Sequence, residues 1–240
     1  MIREHIPMYQ YSLAEAKRWG QIDAWRESYK ENCACARAIE DAIRQSFDGM
    51  YLQDDCAKSV IDQFGMNRVN YVLANTIREK NYDGRFSPSN KTWAKGIHVP
   101  KDSSNWAFIA ESHPAVLDGF VTQARAAWNA LGLYGEDHIV SDSRSEDYTG
   151  KVLVVSPTWL KDCYLTPEYQ LFHVKSGFGC SPTASGRKVY GTFLYDGENT
   201  NLDRSDFLGI LKDEHLPQWA REKLEAQSIQ EEPSAMEQSI

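Results

Sequence analysis

Cys180 and His173 are the first pair to weigh, because a thiolate with an imidazole base is a minimal nucleophilic centre. No third residue stands out to orient the imidazole. A small thiol beside Gly179 and Pro182 also suits packing. The other reactive patterns are incomplete. The six histidines are dispersed, no His-Glu-x-x-His occurs, and neither Asp203 nor Asp206 has a matching acid. Cys33-Ala-Cys35 is too tight for a Cys-x-x-Cys zinc knuckle, and no second pair answers it. The expectation is a non-enzymatic protein without a metal or cofactor.

Two segments, 81–93 and 176–197, are crowded with Gly, Pro, Arg and aromatics that neither a helical nor a strand period explains. In the first, Asp83-Gly84 suits a tight turn, Pro88 interrupts, and Ser89 or Asn90 can cap a short helix through Trp93. Arg85, Lys91 and Trp93 then form a recognition loop, since Arg and Trp anchor interfaces disproportionately. The plainer alternative has Phe86 and Trp93 filling the core and Arg85 paired with a carboxylate. In the second segment, glycines can turn backbone N–H groups inward while Lys175, Arg187 and Lys188 add positive charge, an arrangement suited to phosphate. It lacks the Gly-x-x-x-x-Gly-Lys-Ser/Thr of a P-loop. The candidate partner-binding residues are Arg85, Lys91, Trp93, Arg187 and Lys188.

Helical signals organise the N-terminal part. Ser12-Leu-Ala-Glu15 has the form of a capping box, and Gly20 can close that short helix. A long helix over 22–47 carries Ala36, Ile39 and Phe47 on one stripe. Two further stripes flank Gly65: Ala57, Val60, Ile61 and Phe64, then Val69, Val72, Leu73, Thr76 and Ile77. They read as a helical hairpin, or as a helix-turn-helix whose second helix opens with Asn67, Arg68 and Asn70 as DNA contacts. The run 106–110 suggests a strand, and a helix from Pro114 to about Leu131 follows. Residues 136–150 are polar and read as a linker. Beyond them, 152–155, 169–174 and 189–195 read as strands, and a last helix starts near Pro217. The fold class is therefore α+β: a helical part over 1–135, then a small, mostly antiparallel sheet with a C-terminal helix over 151–226. Residues 227–240 read as a disordered acidic tail.

A net charge of −8 opposes diffuse attraction to DNA or acidic membranes. No run approaches the ~20 apolar residues of a membrane span. Five scattered cysteines favour free thiols in a reducing compartment, and the N-terminus lacks a secretory apolar core. The expectation is a cytoplasmic protein without membrane contact.

The segments Tyr9-Gln-Tyr-Ser-Leu-Ala-Glu-Ala, Ala24-Trp-Arg-Glu-Ser, Arg68-Val-Asn-Tyr-Val-Leu-Ala-Asn-Thr, Tyr82-Asp-Gly-Arg-Phe-Ser and Asn90-Lys-Thr-Trp-Ala carry a resemblance. With Phe64-Gly, Ser112-His-Pro and Gln123-Ala-Arg125, they resemble a family of domains of unknown function over residues 8–130. That family is carried on conjugative elements, plasmids and phages of gut Firmicutes, often beside antirestriction genes. Segment 176–187 with Asp196-Gly-Glu198 is similar to a second module that accompanies it. Some such proteins resemble inhibitors of type II CRISPR effector nucleases. The resemblance implies an anti-defence accessory protein whose partner is a host CRISPR effector or its nucleic-acid complex. An acidic surface suits the basic channel in which such a nuclease holds nucleic acid. No catalytic residues transfer from the family.

Overall fold

The computed structural model describes residues 5–231. The chain divides into two compact units at Ala130/Leu131. Among the described residues, seven α-helices lie mostly in the first unit, and the second unit holds a five-stranded antiparallel sheet and the last helix, an α+β fold.

In the first unit, α1 (Leu13–Arg18) starts at the expected capping box: Ser12 Oγ accepts from the Glu15 N–H, and the Glu15 carboxylate accepts from the Ser12 N–H. Helix α2 (Ile22–Ser46) buries Cys35, Ala36, Ile39 and Ile43. Helices α3 (Cys56–Phe64) and α4 (Met66–Glu79) are separated by Gly65 alone. Helix α4 is buried continuously over 68–77 and packs against α2, α3, α5 (Pro88–Gly96) and α6 (Pro114–Asn129). A helix enclosed on all sides is the centre of its unit.

Two details differ from the sequence expectation here. The cap of α5 is Ser87, which accepts from the Asn90 N–H and places Pro88 at the first helical position, where a missing N–H does no harm. The run 106–110 is not a strand. A 3-10 turn spans Asn105–Phe108, held by the Asn105 side chain on the Pro100 carbonyl and by Asn75 on the Asn105 carbonyl. Such local side-chain bonds compete with a ladder, and here they win.

In the second unit the strands are β1 (Val152–Val155), β2 (Leu171–Ser176), β3 (Lys188–Phe193), β4 (Asn199–Asp203) and β5 (Phe207–Ile210), in the order β4-β3-β2-β1-β5. One face carries Val154, Leu171 and Leu194, which pack with Ala220 of α7 (Gln218–Glu231). The other carries Phe172, whose ring meets Phe193 and Phe207.

The polar stretch 136–150 is not a linker but part of this unit. Ile139 forms a bridge with Leu211, Ser143 is buried, and the Tyr148 ring is enclosed against Phe207. Two apolar anchors in a polar run suffice to tie it down. Of the expected tail, residues 227–231 continue α7, in keeping with its Ala, Glu, Lys, Leu and Gln content. Residues 232–240 lie outside the described part. No helix among the described residues is long and apolar enough to cross a membrane.

Candidate functional site

The β2–β3 connection is built on close backbone approach. A Cβ on Gly179 would sit 2.1 Å from the Arg187 carbonyl oxygen, and one on Gly186 would sit 2.5 Å from Cβ of Phe178. These glycines let the two arms of the loop touch, so they are spacers for packing and not an anion cradle.

Arg204 locks the same loop. Its guanidinium lies 3.7 Å from the centroid of the Tyr148 ring. One edge donates to the carbonyls of Gly179 (2.8 Å) and Cys180 (2.6 Å), and the other to those of Arg144 (2.8 Å) and Glu146 (2.7 Å). A planar fork that stacks and bonds four acceptors has no equivalent in lysine. The loop so fixed presents Phe178, 79 % exposed, and Arg187 to solvent. Tyr190 lies beside Gly177 on the outward face of β3, and Lys188 on that face pairs with Asp203 at 3.0 Å.

The loop of the first unit is more inwardly committed. Arg85 donates through Nε (2.9 Å) and Nη2 (2.6 Å) to the two carboxylate oxygens of Asp83, and through Nη1 to Nε2 of His113 (3.2 Å). The hydrogen bonds from Arg85 hold the Asp83 carboxyl well below the usual range. Lys91 donates to the Asn81 carbonyl (2.9 Å), Phe86 is buried, and Trp93 packs against the core. Arg85 itself remains exposed.

The DNA-contact residues are placed against that use. Arg68 is 3 % exposed and Asn70 is buried, because both lie on the enclosed helix α4. The Arg68 guanidinium donates to the Ser28 carbonyl (2.9 Å), to Asn32 Oδ1, and to the carbonyls of Ile6 (2.8 Å) and Pro7 (3.2 Å). Asn67 is half-buried. A recognition helix needs a free face, and the ~3–4-residue turn of that motif is here one glycine. The pair α3–α4 is a helical hairpin.

Cys180 and His173 do not form a reaction centre in this arrangement. Cys180 is 2 % exposed, and burial pushes its thiol pKa up, opposed by a hydrogen bond from Thr149. His173 alternates with Phe172 along β2, so its side chain leaves the sheet on the face opposite the cluster of Phe172, Phe207 and Tyr148 against which the Cys180 loop is held. No group of three or more His, Cys, Asp or Glu among the described residues is arranged to hold a metal ion.

A feature that the sequence reading missed is a narrow aromatic cleft in the first unit, of about 20 Å3. Trp25 and Tyr29, one turn apart on α2, stack at 5.0 Å and 15°. Tyr29 meets Phe108 edge-on, and Phe108 stacks on Tyr71. Asp102 stands at the cleft, its Oδ2 accepting from the Leu13 N–H (2.8 Å) and its Oδ1 from the N–H (3.1 Å) and hydroxyl (3.0 Å) of Ser104. Burial alone would raise its pKa, but these donors outweigh burial and hold it below the ordinary value. The linkage follows from that direction: a depressed carboxyl stabilises the fold above its unfolded pKa of ~3.9, and that stabilisation is lost as pH falls through the folded value. Acid titration of unfolding should therefore show a loss of stability below about pH 4 that Asp102→Asn flattens. An unchanged acid limb in that variant would disprove the assignment.

The DUF3849 family, described as proteins of unknown function, matches residues 8–129, just over half of the 240-residue chain. The match ends where α6 ends, so it covers the first unit and its aromatic cleft. No curated protein and no solved structure matches the chain. With the family model matching just over half of the chain, the chain belongs to the DUF3849 family of proteins of unknown function.

Proposed function

We propose that this is a non-enzymatic anti-defence protein of a mobile element, which blocks a host CRISPR effector nuclease by direct contact. The observation that supports a docking role is the locked β2–β3 loop: Phe178 is held out in solvent with Arg187 beside it, on a backbone fixed by Arg204. A pre-ordered loop loses little entropy on binding, and aromatic residues and arginine are both enriched in protein interfaces. The nuclease as partner comes from the resemblance of the sequence motifs to accessory proteins of mobile elements. Lys188 and Tyr190 extend the contact, and Arg85, on the first unit, is a second exposed candidate.

The test is reconstitution with a type II effector. The purified protein should co-elute with it and stop cleavage at stoichiometric amounts, without turnover. Phe178→Ala should weaken the complex by about tenfold or more, the loss typical of a hot-spot aromatic. Failure to co-elute, together with undiminished cleavage at excess protein, would end this reading.

A second reading draws on the same surface, because exposed Phe178 and Tyr190 interleaved with Arg187 and Lys188 also suit stacking on single-stranded nucleic acid. It requires a mobility shift that weakens steeply with salt. It is lost if no shift occurs at low salt.

A further inference from the structure

A strip of four aromatic rings lies at the end of β3 opposite the β2–β3 loop. Tyr164, Tyr169, Tyr195 and Trp219 follow one another with centroids 4.7, 4.9 and 6.2 Å apart. They come from separate places in the chain: the 3-10 turns Asp162–Tyr164 and Glu168–Gln170, the residue two beyond β3, and the first turn of α7. Leu165 and Gln170 are buried and anchor the segment that carries the first two rings, while the Leu194 N–H on the Leu171 carbonyl (2.9 Å) holds the third beside them.

These rings are not spent on the core. Tyr164 and Tyr195 are 42 % and 48 % exposed, and Tyr169 and Trp219 are half-buried. Successive rings are tilted by 50°, 61° and 87°, so the strip is a series of ridges with clefts between them and not a flat platform. Among the described residues no hydrogen bond engages the hydroxyl of Tyr164, Tyr169 or Tyr195. Desolvation, then the nearby charge of Asp196, raises the Tyr169 pKa, so that hydroxyl keeps its proton and remains a donor. At the α7 end, Lys223 donates to the Tyr195 carbonyl and lies 5.9 and 5.8 Å over the Tyr195 and Trp219 rings, which leaves the tyrosine end as the open one.

A polyproline II segment fits this relief. It has three residues per turn and a rise of ~3.1 Å, so it shows the same side every ~9 Å, and the first and third tyrosine rings lie at most about 10 Å apart. Its backbone carbonyls make no internal hydrogen bonds, so the tyrosine hydroxyls can donate to them, and proline rings pack into clefts between aromatic ridges. The segment is also ordered before it binds, which lowers the entropy lost on docking. Asp196 and Glu198, both exposed in the turn that follows Tyr195, favour a cationic residue beside the prolines and oppose the phosphates of single-stranded nucleic acid. The geometry points to a docking strip for a proline-rich segment of a partner protein in the polyproline II conformation, carrying a basic residue next to its prolines.

The probe is a fluorescein-labelled peptide, Ala-Pro-Pro-Leu-Pro-Pro-Arg-amide, titrated with the full chain and read by fluorescence anisotropy. Saturable binding at sub-millimolar protein is expected, at least tenfold tighter than that of the same peptide with alanine in place of every proline. Tyr164→Ala removes an exposed ring, so the thermal midpoint should stay at the wild-type value while binding weakens about fivefold or more. Asp196→Asn keeps a side-chain oxygen for the Glu198 N–H and removes the charge. It should weaken the arginine peptide about threefold and leave a glutamine-ended version unchanged. Equal binding of the alanine peptide would overturn the polyproline assignment. So would wild-type affinity in both Tyr164→Ala and Tyr195→Ala, absence of binding at millimolar protein, or displacement of the peptide by oligothymidine or cellohexaose at lower concentration than by unlabelled peptide. Because the peptide contains no nuclease and the variants leave Phe178 and Arg187 in place, the result is separable from that of the reconstitution.

Discussion

An Arg68→Leu variant should lose about 3–5 kcal/mol of unfolding free energy, the scale for leaving the partners of a buried charged group unpaired. The guanidinium is 3 % exposed and ties α4 to α2 through Ser28 and Asn32, and to the N-terminal segment through the carbonyls of Ile6 and Pro7. Leucine fills part of the volume but removes the Arg68 donor from Asn32 Oδ1 and from the carbonyls of Ile6 and Pro7, each at a cost of about 1–3 kcal/mol before relaxation. Arg68→Lys should recover less than half, because a single ammonium cannot reach both sides of the fork. Urea unfolding followed by tryptophan fluorescence measures the difference. Arg85→Ala provides the contrast: its side chain is half exposed and pairs with Asp83 two residues away on the same turn, and a loss of about 1 kcal/mol is expected there. If Arg68→Leu behaved like Arg85→Ala, the buried network would have to be hydrated and the enclosed position of Arg68 wrong.

Gly191→Ala should be a severely damaging single methyl in the second unit. Gly191 sits in the middle of β3, opposite Val174 on β2 and Thr200 on β4. A Cβ there would lie 2.2 Å from the His173 carbonyl oxygen and 2.6 Å from the Phe172 ring. Neither neighbour can retreat, since the carbonyl belongs to the ladder and the ring is wedged between Phe193 and Phe207. A cost above about 3 kcal/mol is expected, at the upper end for overpacking. Gly84→Ala, where the added methyl meets nothing within 4 Å, should stay within about 0.5 kcal/mol. Wild-type soluble yield and thermal midpoint for Gly191→Ala would refute the β2–β3 register.

The parts of the fold that were legible in the sequence are those where spacing alone carries the signal. Val116, Leu117, Phe120, Val121 and Ala124 recur at helical intervals and form α6, and Val152 to Val155 is a short apolar run that forms β1. Strand β4, Asn-Thr-Asn-Leu-Asp, has no apolar alternation because it is an edge strand with much of its side-chain surface in water. Strand β5, Phe-Leu-Gly-Ile, is too short for a period to develop. The segment 136–150 was hidden by its polar majority, although Ile139 and Tyr148 were its two anchors.

Sites were harder to read than elements. That Arg68 turns inward depends on carbonyls of Ile6 and Pro7, which no side-chain pattern reveals. A hint was available in Ser28 and Asn32, polar residues one turn apart on the face of α2 that otherwise buries Cys35 and Ile39. The aromatic cleft draws on α1's approach, α2, α4 and the 100–108 segment. Only the Trp25/Tyr29 pair at i, i+4 was local enough to be noticed, while Asp102 and Tyr71 arrive through tertiary packing.

The enclosure of α4 constrains how the first unit can change shape. Every one of α2, α3, α5 and α6 leans on it, so it cannot tilt or unwind without releasing all of them at once. Rearrangement on engaging another molecule is thereby confined to what lies outside this packing. The unit behaves as a rigid hub with adjustable edges, and its innermost amides should open to solvent only when the whole unit comes apart.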